Sequence, residues 1–188
     1  MLASCGGSAE GGKRSPQDLA IQRADVTGLS RCSQSGSPDA VVQTLRQSGN
    51  SADADHLAGY WADDRARGGH EAYLVGYAAS PGDCLRILGA FGTGAIRSLQ
   101  TRWVVNYVVA FPGSPQAKAA WADRATYLQN FSYTAGKTTG LGDNSIVLDG
   151  YQPQWYAVWS KGSSYAVLAT NSDASIATRL ASQVAARM

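Results

Sequence analysis

The segment from Arg102 to Phe111 constrains the fold of this chain more than any other. A strand that faces solvent on one side carries a polar residue at every second position, whereas a strand covered on both faces is apolar throughout. Here both alternating sets are almost entirely apolar: Trp103, Val105, Tyr107, Val109 and Phe111 on one side, and Val104, Asn106 and Val108 on the other. The segment therefore predicts a central strand in a sheet that is covered on both faces.

A β-hairpin is predicted around Gly162-Ser163, between strands at 154–161 and 164–170. Glycine at the first loop position suits a two-residue type II′ turn, and such a turn fixes the pairing of the two strands. This register puts Trp155, Ala157 and Trp159 on one face with Ala166, Leu168 and Thr170, and puts Tyr156, Val158, Tyr165 and Val167 on the other.

Helices are predicted where a capping residue precedes apolar positions three or four apart. One begins after Ser37, a second near Ser51, and the last spans about Asp173 to Arg187. Further helices follow Ser80-Pro81 and Ser114-Pro115, and residues 16–26 are either helical or an extended lead-in. On the second helix the charged residues are expected to face water: Asp53, Asp55, Asp63, Asp64, Arg65 and Arg67.

With strands also expected at 70–79 and 145–149, and a short strand considered at 131–133, the element order indicates an α+β fold. We expect an antiparallel or mixed sheet of about 4–6 strands with helices packed on it. Residues 1–15 are rich in glycine and serine and have no hydrophobic period, so they indicate a flexible tether. Residues 16–188 are expected to form a single globular domain.

Composition excludes several classes of protein. A chain of 188 residues, 44% hydrophobic and 16% charged, can form a packed core, so it is not disordered throughout. No run of apolar residues approaches the ~18 that a membrane-spanning helix needs. The net charge is only +2 and the arginines are scattered, which argues against a nucleic-acid partner. We expect a monomer.

The sequence Leu2-Ala3-Ser4-Cys5 resembles the lipobox of bacterial lipoproteins, in which a signal peptidase cuts before the cysteine and the thiol carries a diacylglycerol. The resemblance implies lipidation of Cys5, attachment to the membrane through that lipid, and an extracytoplasmic location in the cell envelope. It also implies a longer precursor, because residues 1–4 do not supply the basic and apolar regions of a signal peptide. The alternative is a disordered tail with an unmodified thiol.

Lipidation of one thiol would leave Cys32 and Cys84 as an even pair. An exported domain meets oxidising conditions, in which a disulfide forms and persists. A Cys32–Cys84 disulfide is therefore expected. The alternative is two reduced, buried thiols in a cytosolic protein.

The sequence gives little sign of catalytic chemistry. His56 and His70 lie in no G-x-S-x-G or H-E-x-x-H signature, so both are expected to be solvated residues. The run Asp53-Ala54-Asp55-His56 carries metal-ligating atoms but indicates an acidic first helical turn. Glycine-rich stretches at 89–94 and 140–143 lack a phosphate-binding or dinucleotide-binding pattern. We therefore expect no catalytic residue, no metal site and no cofactor.

Aromatic side chains crowd the predicted hairpin, and they have two interpretations. Aromatic residues suit strands and pack in cores. If helices cover only one face of the sheet, however, the other face would be a candidate ligand surface. Its residues would be Tyr151, Trp155, Tyr156 and Trp159.

The segment from Gly140 through the hairpin and the closing helix is similar to the C-terminal part of small exported bacterial lipoproteins. It also resembles the extracellular sensor domains of some bacterial receptor kinases. The resemblance implies a non-enzymatic envelope domain of α+β fold, without assigning site residues. The context of Cys5, the glycine-rich tether and the lack of a catalytic constellation favour a lipoprotein domain that binds a small ligand, an envelope polymer or a protein partner. The alternatives are an exported hydrolase-type enzyme, whose site forms only in three dimensions, and a purely structural interaction domain.

Overall fold

A single antiparallel sheet forms the centre of the molecule in the computed structural model, which describes residues 14–91, 99–130, 140–149 and 154–188. Its six strands pair in the order β1-β2-β3-β6-β5-β4. Their bounds are β1 Ser30–Arg31, β2 Glu71–Ala78, β3 Trp103–Ala110, β4 Asn144–Asp149, β5 Trp155–Lys161 and β6 Ser164–Thr170. The predicted α+β class is confirmed, and β3 occupies the central position that its apolar faces predict.

Six helices accompany the sheet in the described part of the chain. Side-chain caps explain where two of them begin: the Ser37 hydroxyl accepts from the Ala40 amide, and Asp173 accepts from the Ile176 amide at 2.9 Å. Residues 16–26 contain one short helix and a 3₁₀ turn, Arg23–Asp25. The helices are α1 Pro16–Leu19, α2 Pro38–Gln47, α3 Ser51–Ala66, α4 Cys84–Gly89, α5 Ser114–Gln129 and α6 Ala174–Arg187.

Each face of the sheet buries its own apolar core. On the first face, helices α2 to α5 pack against Leu74, Tyr107 and Val158, among others. On the second face, α6 and residues 19–26 pack against a set that includes Trp159 and Leu168. The register of the β5–β6 hairpin is the predicted one, with Lys161 paired to Ser164 across the two-residue turn.

Asn106 fastens the N-terminal segment to the second face. It is fully buried in β3, where its Oδ1 accepts from the Ile21 amide at 3.0 Å and its Nδ2 donates to the Val167 carbonyl at 2.9 Å. The Tyr77 hydroxyl donates to the Ile21 carbonyl at 3.2 Å. This accounts for a polar residue in an otherwise apolar strand, since its side chain satisfies backbone groups that would lack partners.

A disulfide joins Cys32, just after β1, to Cys84 at the start of α4, with the Cα atoms 5.4 Å apart. It passes close to Gly76 in β2, where a Cβ atom would lie 3.3 Å from Cys32 Sγ and 3.1 Å from Leu88. A glycine at this position therefore lets α4 and the disulfide pack tightly against the sheet.

One expectation about α3 is wrong. Asp64 was expected to face water with the other charged residues of the helix, but it is 2% exposed and points into the first-face core. The short strand considered at 131–133 in the sequence lies outside the described residues. Within the residues that are described, no helix has the length and apolar character needed to cross a bilayer.

Candidate functional site

Asp64 is the centre of a buried polar cluster on the first face. It follows Leu57 and Trp61 at helical spacing, so it lies on the stripe of α3 that faces the sheet. Its Oδ2 accepts hydrogen bonds from the hydroxyls of Tyr107, on β3, and Tyr165, on β6, at 3.0 and 3.2 Å. Three elements that are distant in sequence therefore converge on one carboxylate.

Burial sets the protonation of the cluster. It raises the pKa of Asp64 from 3.8 to about 6, although the nearby Arg124 charge and the two tyrosine hydrogen bonds act in the opposite direction. Burial also raises the pKa of Tyr60, Tyr107 and Tyr165, so these hydroxyls stay neutral. Asp64 is therefore a carboxyl group that changes charge close to neutral pH.

Arg124, on α5, lies beside this cluster. Its guanidinium carbon is 2.9 Å from the centre of the Tyr60 ring and 5.7 Å from that of Tyr127, a cation–π arrangement. Burial opposes its charge, but Tyr60, Tyr165 and Asp64 together raise its pKa, so it stays protonated. The buried Tyr60 hydroxyl lies close to Tyr165, whose side chain acts to lower the pKa of Tyr60 against the larger raising effect of burial.

A cavity of about 300 Å³ opens between α3 and α5 and shares Tyr60 and Arg124 with the buried cluster. We call it the α3–α5 cavity. Its α3 wall carries Asp55 and His56 on one side of Gly59 and Asp63 on the other, and its α5 wall carries a cation and an aromatic ring. The lining residues are Asp55, His56, Gly59, Tyr60, Asp63, Arg124 and Tyr127.

A second, larger cavity of about 530 Å³ lies at the end of α6, lined in part by His70, Glu71 and three basic residues. Its basic residues already have structural partners. Arg14 donates to the Arg187 carbonyl at 3.0 Å, and Lys161 donates to the Ala185 carbonyl at 2.8 Å. Arg187 itself pairs with Asp25 at 2.7 Å. These contacts close the end of α6, so the α3–α5 cavity is the stronger candidate site.

The two histidines lie in different cavities, His56 in the α3–α5 cavity and His70 in the larger one. The fold therefore does not bring the two histidines together. In the part of the chain that the structure describes, no group of three or more metal-ligating side chains is found.

The aromatic residues of the predicted ligand surface do not form one surface. Tyr156 is 6% exposed in the first-face core, and Trp159 is fully buried in the second-face core, beneath α6. Trp155 is only partly buried, on the second face. The packing interpretation is thus correct for Tyr156 and Trp159, because helices cover both faces of the sheet. Tyr151 and Cys5 lie outside the described residues.

Sequence reasoning named Asp55, His56 and Asp63 but missed the buried Asp64 cluster beside the candidate site. The spacing of Leu57, Trp61 and Asp64 was a usable signal, since it places Asp64 on the apolar stripe of α3. The partners Tyr107 and Tyr165 gave no such signal, because they come from strands and looked like ordinary core positions.

Comparison with known proteins gives a likeness in fold. No family model matches the sequence, and no curated protein matches it. Among solved structures, the crystal structure of the extracellular domain of PknH from Mycobacterium tuberculosis superimposes with a TM-score of 0.52 and 11% sequence identity, covering 90% of this chain and 92% of that one. This chain therefore has a fold similar to that of the PknH extracellular domain.

Proposed function

We propose that this chain is a non-enzymatic, extracytoplasmic binding domain, held at the membrane by a lipid on Cys5, and that the α3–α5 cavity is its ligand site. The observation that carries the binding role is the cavity itself. It shares Tyr60 and Arg124 with a buried, charged cluster, and a concave site with a few convergent polar groups is the usual form of a small-ligand site.

Three features support the extracytoplasmic location. The fold is similar to the PknH extracellular domain. The Cys32–Cys84 disulfide is of the kind that persists in oxidising compartments. The residues before Cys5 resemble a lipobox, and a glycine-rich tether follows them.

The ligand site is tested by a thermal-shift screen of small molecules from several charge classes. The full chain is compared with Gly59→Leu, which places a bulky side chain at the cavity wall, and with Gly59→Ala, which adds only a methyl group. We expect compounds that stabilise the wild type and Gly59→Ala but not Gly59→Leu. If no compound distinguishes the variants, the binding role fails and a purely structural domain becomes the better interpretation.

Anchoring is tested on the full-length precursor in a bacterial host supplied with radiolabelled fatty acid. We expect label on the wild type and on Ser8→Ala, which changes the neighbouring tether, but not on Cys5→Ala. Equal labelling of Cys5→Ala and wild type would contradict the proposed lipid anchor on Cys5 but would not affect the proposed binding function.

An exported hydrolase is the alternative that the position of His56 favours, because Asp55 and Asp63 line the same cavity. An enzyme would turn over a compound found in the screen, and His56→Gln would stop turnover while leaving binding intact. We expect the compound to be recovered unchanged.

A further inference from the structure

We propose that the second face of the sheet carries a separate binding site, a small pocket beside the first half of α6, and that its ligand is a short aliphatic carboxylate. The site goes beyond the proposed function, because the α3–α5 cavity lies on the first face and shares no residue with this pocket.

The pocket has an apolar interior. It encloses about 110 Å³ between residues 26–29, the first half of α6 and the sheet, and we call it the second-face pocket. The half-buried side chains of Leu29 and Ile176 form part of its wall. Its floor consists of residues that are at most 8% exposed: Val26, Val104, Thr170 and Leu180. The Thr170 hydroxyl already donates to the Trp103 carbonyl at 2.7 Å, so the floor offers a ligand apolar surface.

Two arginines give the lining a positive charge. Arg102, just before β3, and Arg179, on α6, both line the pocket, and no acidic residue does. Neither arginine belongs to an ion pair in the part of the chain that the structure describes. The acids closest in sequence to the lining have other partners, since Asp25 pairs with Arg187 and Asp173 caps α6. The pocket is therefore complementary to an anion with an apolar tail.

Gly28 gives Arg102 its place at the pocket. A Cβ atom on Gly28 would lie 3.0 Å from Arg102 Nη2, so the guanidinium lies directly against this backbone. Gly28 has a φ of +71°, which other residues rarely adopt. Within the described residues, the Arg102 guanidinium donates no hydrogen bond. The turn therefore leaves room for a charged group that the fold itself does not use.

Arg179 is oriented by the protein but is not saturated. Its Nη1 donates to the Asp25 carbonyl and to Gln183 Oε1, both at 3.3 Å. Its Nε and Nη2 donate to no group among the described residues. Guanidinium groups bind carboxylates through paired hydrogen bonds, so the two arginines favour a carboxylate over a neutral head group.

The volume of the pocket limits the tail of the ligand. About 110 Å³ is less than the ~150 Å³ of an apolar cavity that binds benzene. A six-membered ring is therefore too large, whereas a branched tail of about four carbon atoms fits. Isovalerate has such a tail and one carboxylate, and it is the probe that we choose.

Nitrogen-15 NMR of the full chain, titrated with isovalerate at low salt, tests the proposal. We expect saturable binding with a Kd on the order of 1 mM, and the largest amide shifts on residues that line the second-face pocket. Isovaleramide, the neutral analogue, should bind roughly fivefold more weakly, and acetate, which lacks the tail, at least about tenfold more weakly. Equal binding of either analogue would overturn the proposal.

Charge variants test the two arginines. Arg102→Gln and Arg179→Gln should each weaken isovalerate binding by roughly threefold to fivefold, and Arg102→Lys should recover part of the loss. Arg23→Gln is the matched control, because it removes one positive charge from the neighbouring 3₁₀ turn, outside the pocket. Equal weakening by Arg23→Gln would mean attraction by overall charge and would overturn the proposal.

Ile176 tests the apolar interior. Ile176→Phe narrows the pocket and should abolish isovalerate binding, whereas Ile176→Val removes one methyl group and should retain it. The NMR spectrum of each free variant shows whether it is folded. The comparison of isovalerate with its two analogues uses the wild type alone, so it decides the proposal even if a variant does not fold.

Gly59→Leu separates this site from the α3–α5 cavity. The variant should bind isovalerate like the wild type, because Gly59 lines only the first-face cavity. Loss of binding in Gly59→Leu, with shifts confined to the α3–α5 cavity, would overturn the second site and support the proposed function. An absence of isovalerate binding would overturn the second site and leave the proposed function unaffected.

Discussion

The Tyr165 hydroxyl donates to Asp64 Oδ2 across 3.2 Å, joining β6 to α3 over 101 residues of sequence. The Tyr107 hydroxyl reaches the same oxygen from the neighbouring strand β3 at 3.0 Å. The carboxylate thus ties a first-face helix to the centre of the sheet, and its charge state is coupled to the stability of the fold.

Asp64→Asn should change how stability depends on pH. Because the pKa of Asp64 is about 6 in the folded chain and 3.8 ordinarily, folding favours the protonated form. The stability that this provides is complete below pH 3.8 and is lost as pH rises through 6. The loss is about 3 kcal/mol, at 1.36 kcal/mol per pKa unit.

An asparagine does not titrate. The stability of Asp64→Asn, measured as its free energy of unfolding relative to wild type, should therefore be higher at pH 7.5 than at pH 4 by about that amount. Urea unfolding at the two pH values measures the difference. Asp63→Asn, on the exposed side of the same helix, is the control and should show a much smaller change. Parallel pH profiles for wild type and Asp64→Asn would contradict the shifted pKa.

Tyr165→Phe should raise the pKa of Asp64 further, because the Tyr165 hydrogen bond stabilises the charged carboxylate. The variant should also lose about 1–3 kcal/mol of stability near neutral pH, the usual cost of removing a partner from a buried charged group. Carbon-13 NMR of the aspartate carboxyl groups measures the pKa. Tyr73→Phe, on the second face, should leave it unchanged, and a fall in pKa on Tyr165→Phe would be inconsistent with the geometry.

Replacing both Cys32 and Cys84 by alanine should destabilise the domain by about 4 kcal/mol in the chain-entropy model. The bridge closes a loop with a sequence separation of 52, which restricts the unfolded chain. Reductant should lower the unfolding midpoint of the wild type and leave that of the double variant where it is. A double variant as stable as the oxidised wild type would show that the bridge contributes nothing.

Asn106→Ala should release the N-terminal segment from the second face. It removes the partners of the Ile21 amide and the Val167 carbonyl, at a cost of about 2–4 kcal/mol. Hydrogen exchange at Ile21 should accelerate more than exchange in β3. Asn130→Ala, at an exposed position, should change stability by less than about 0.5 kcal/mol. Unchanged protection at Ile21 would mean that second-face packing and the Tyr77 hydrogen bond hold the segment without Asn106.

Local sequence patterns predicted much of the fold. The apolar alternation around Val105 located the central strand, the Gly162-Ser163 turn fixed the β5–β6 register, and Asp173 marked the start of α6. Each of these signals depends on residues that are close in sequence, so it can be interpreted without a structure.

The candidate site could not be predicted in the same way. Charged residues are seldom buried without partners, so Asp64 was assigned to water, and its tyrosine partners belong to other elements. The alternation along the strand shows that Tyr156 and Trp159 face opposite faces of the sheet. It does not show whether helices cover the second face. That coverage comes from α6 and from residues 19–26, which contact the sheet only in the folded chain.

The N-terminal segment and the α3–α5 cavity lie on opposite faces of the sheet. Attachment through the chain that leads into Leu19 therefore joins the molecule at the second face, whereas the residues that line the cavity belong to helices of the first face. An immobilised domain would keep free access for diffusing molecules, so surface-based binding assays can attach it at this end without blocking the site.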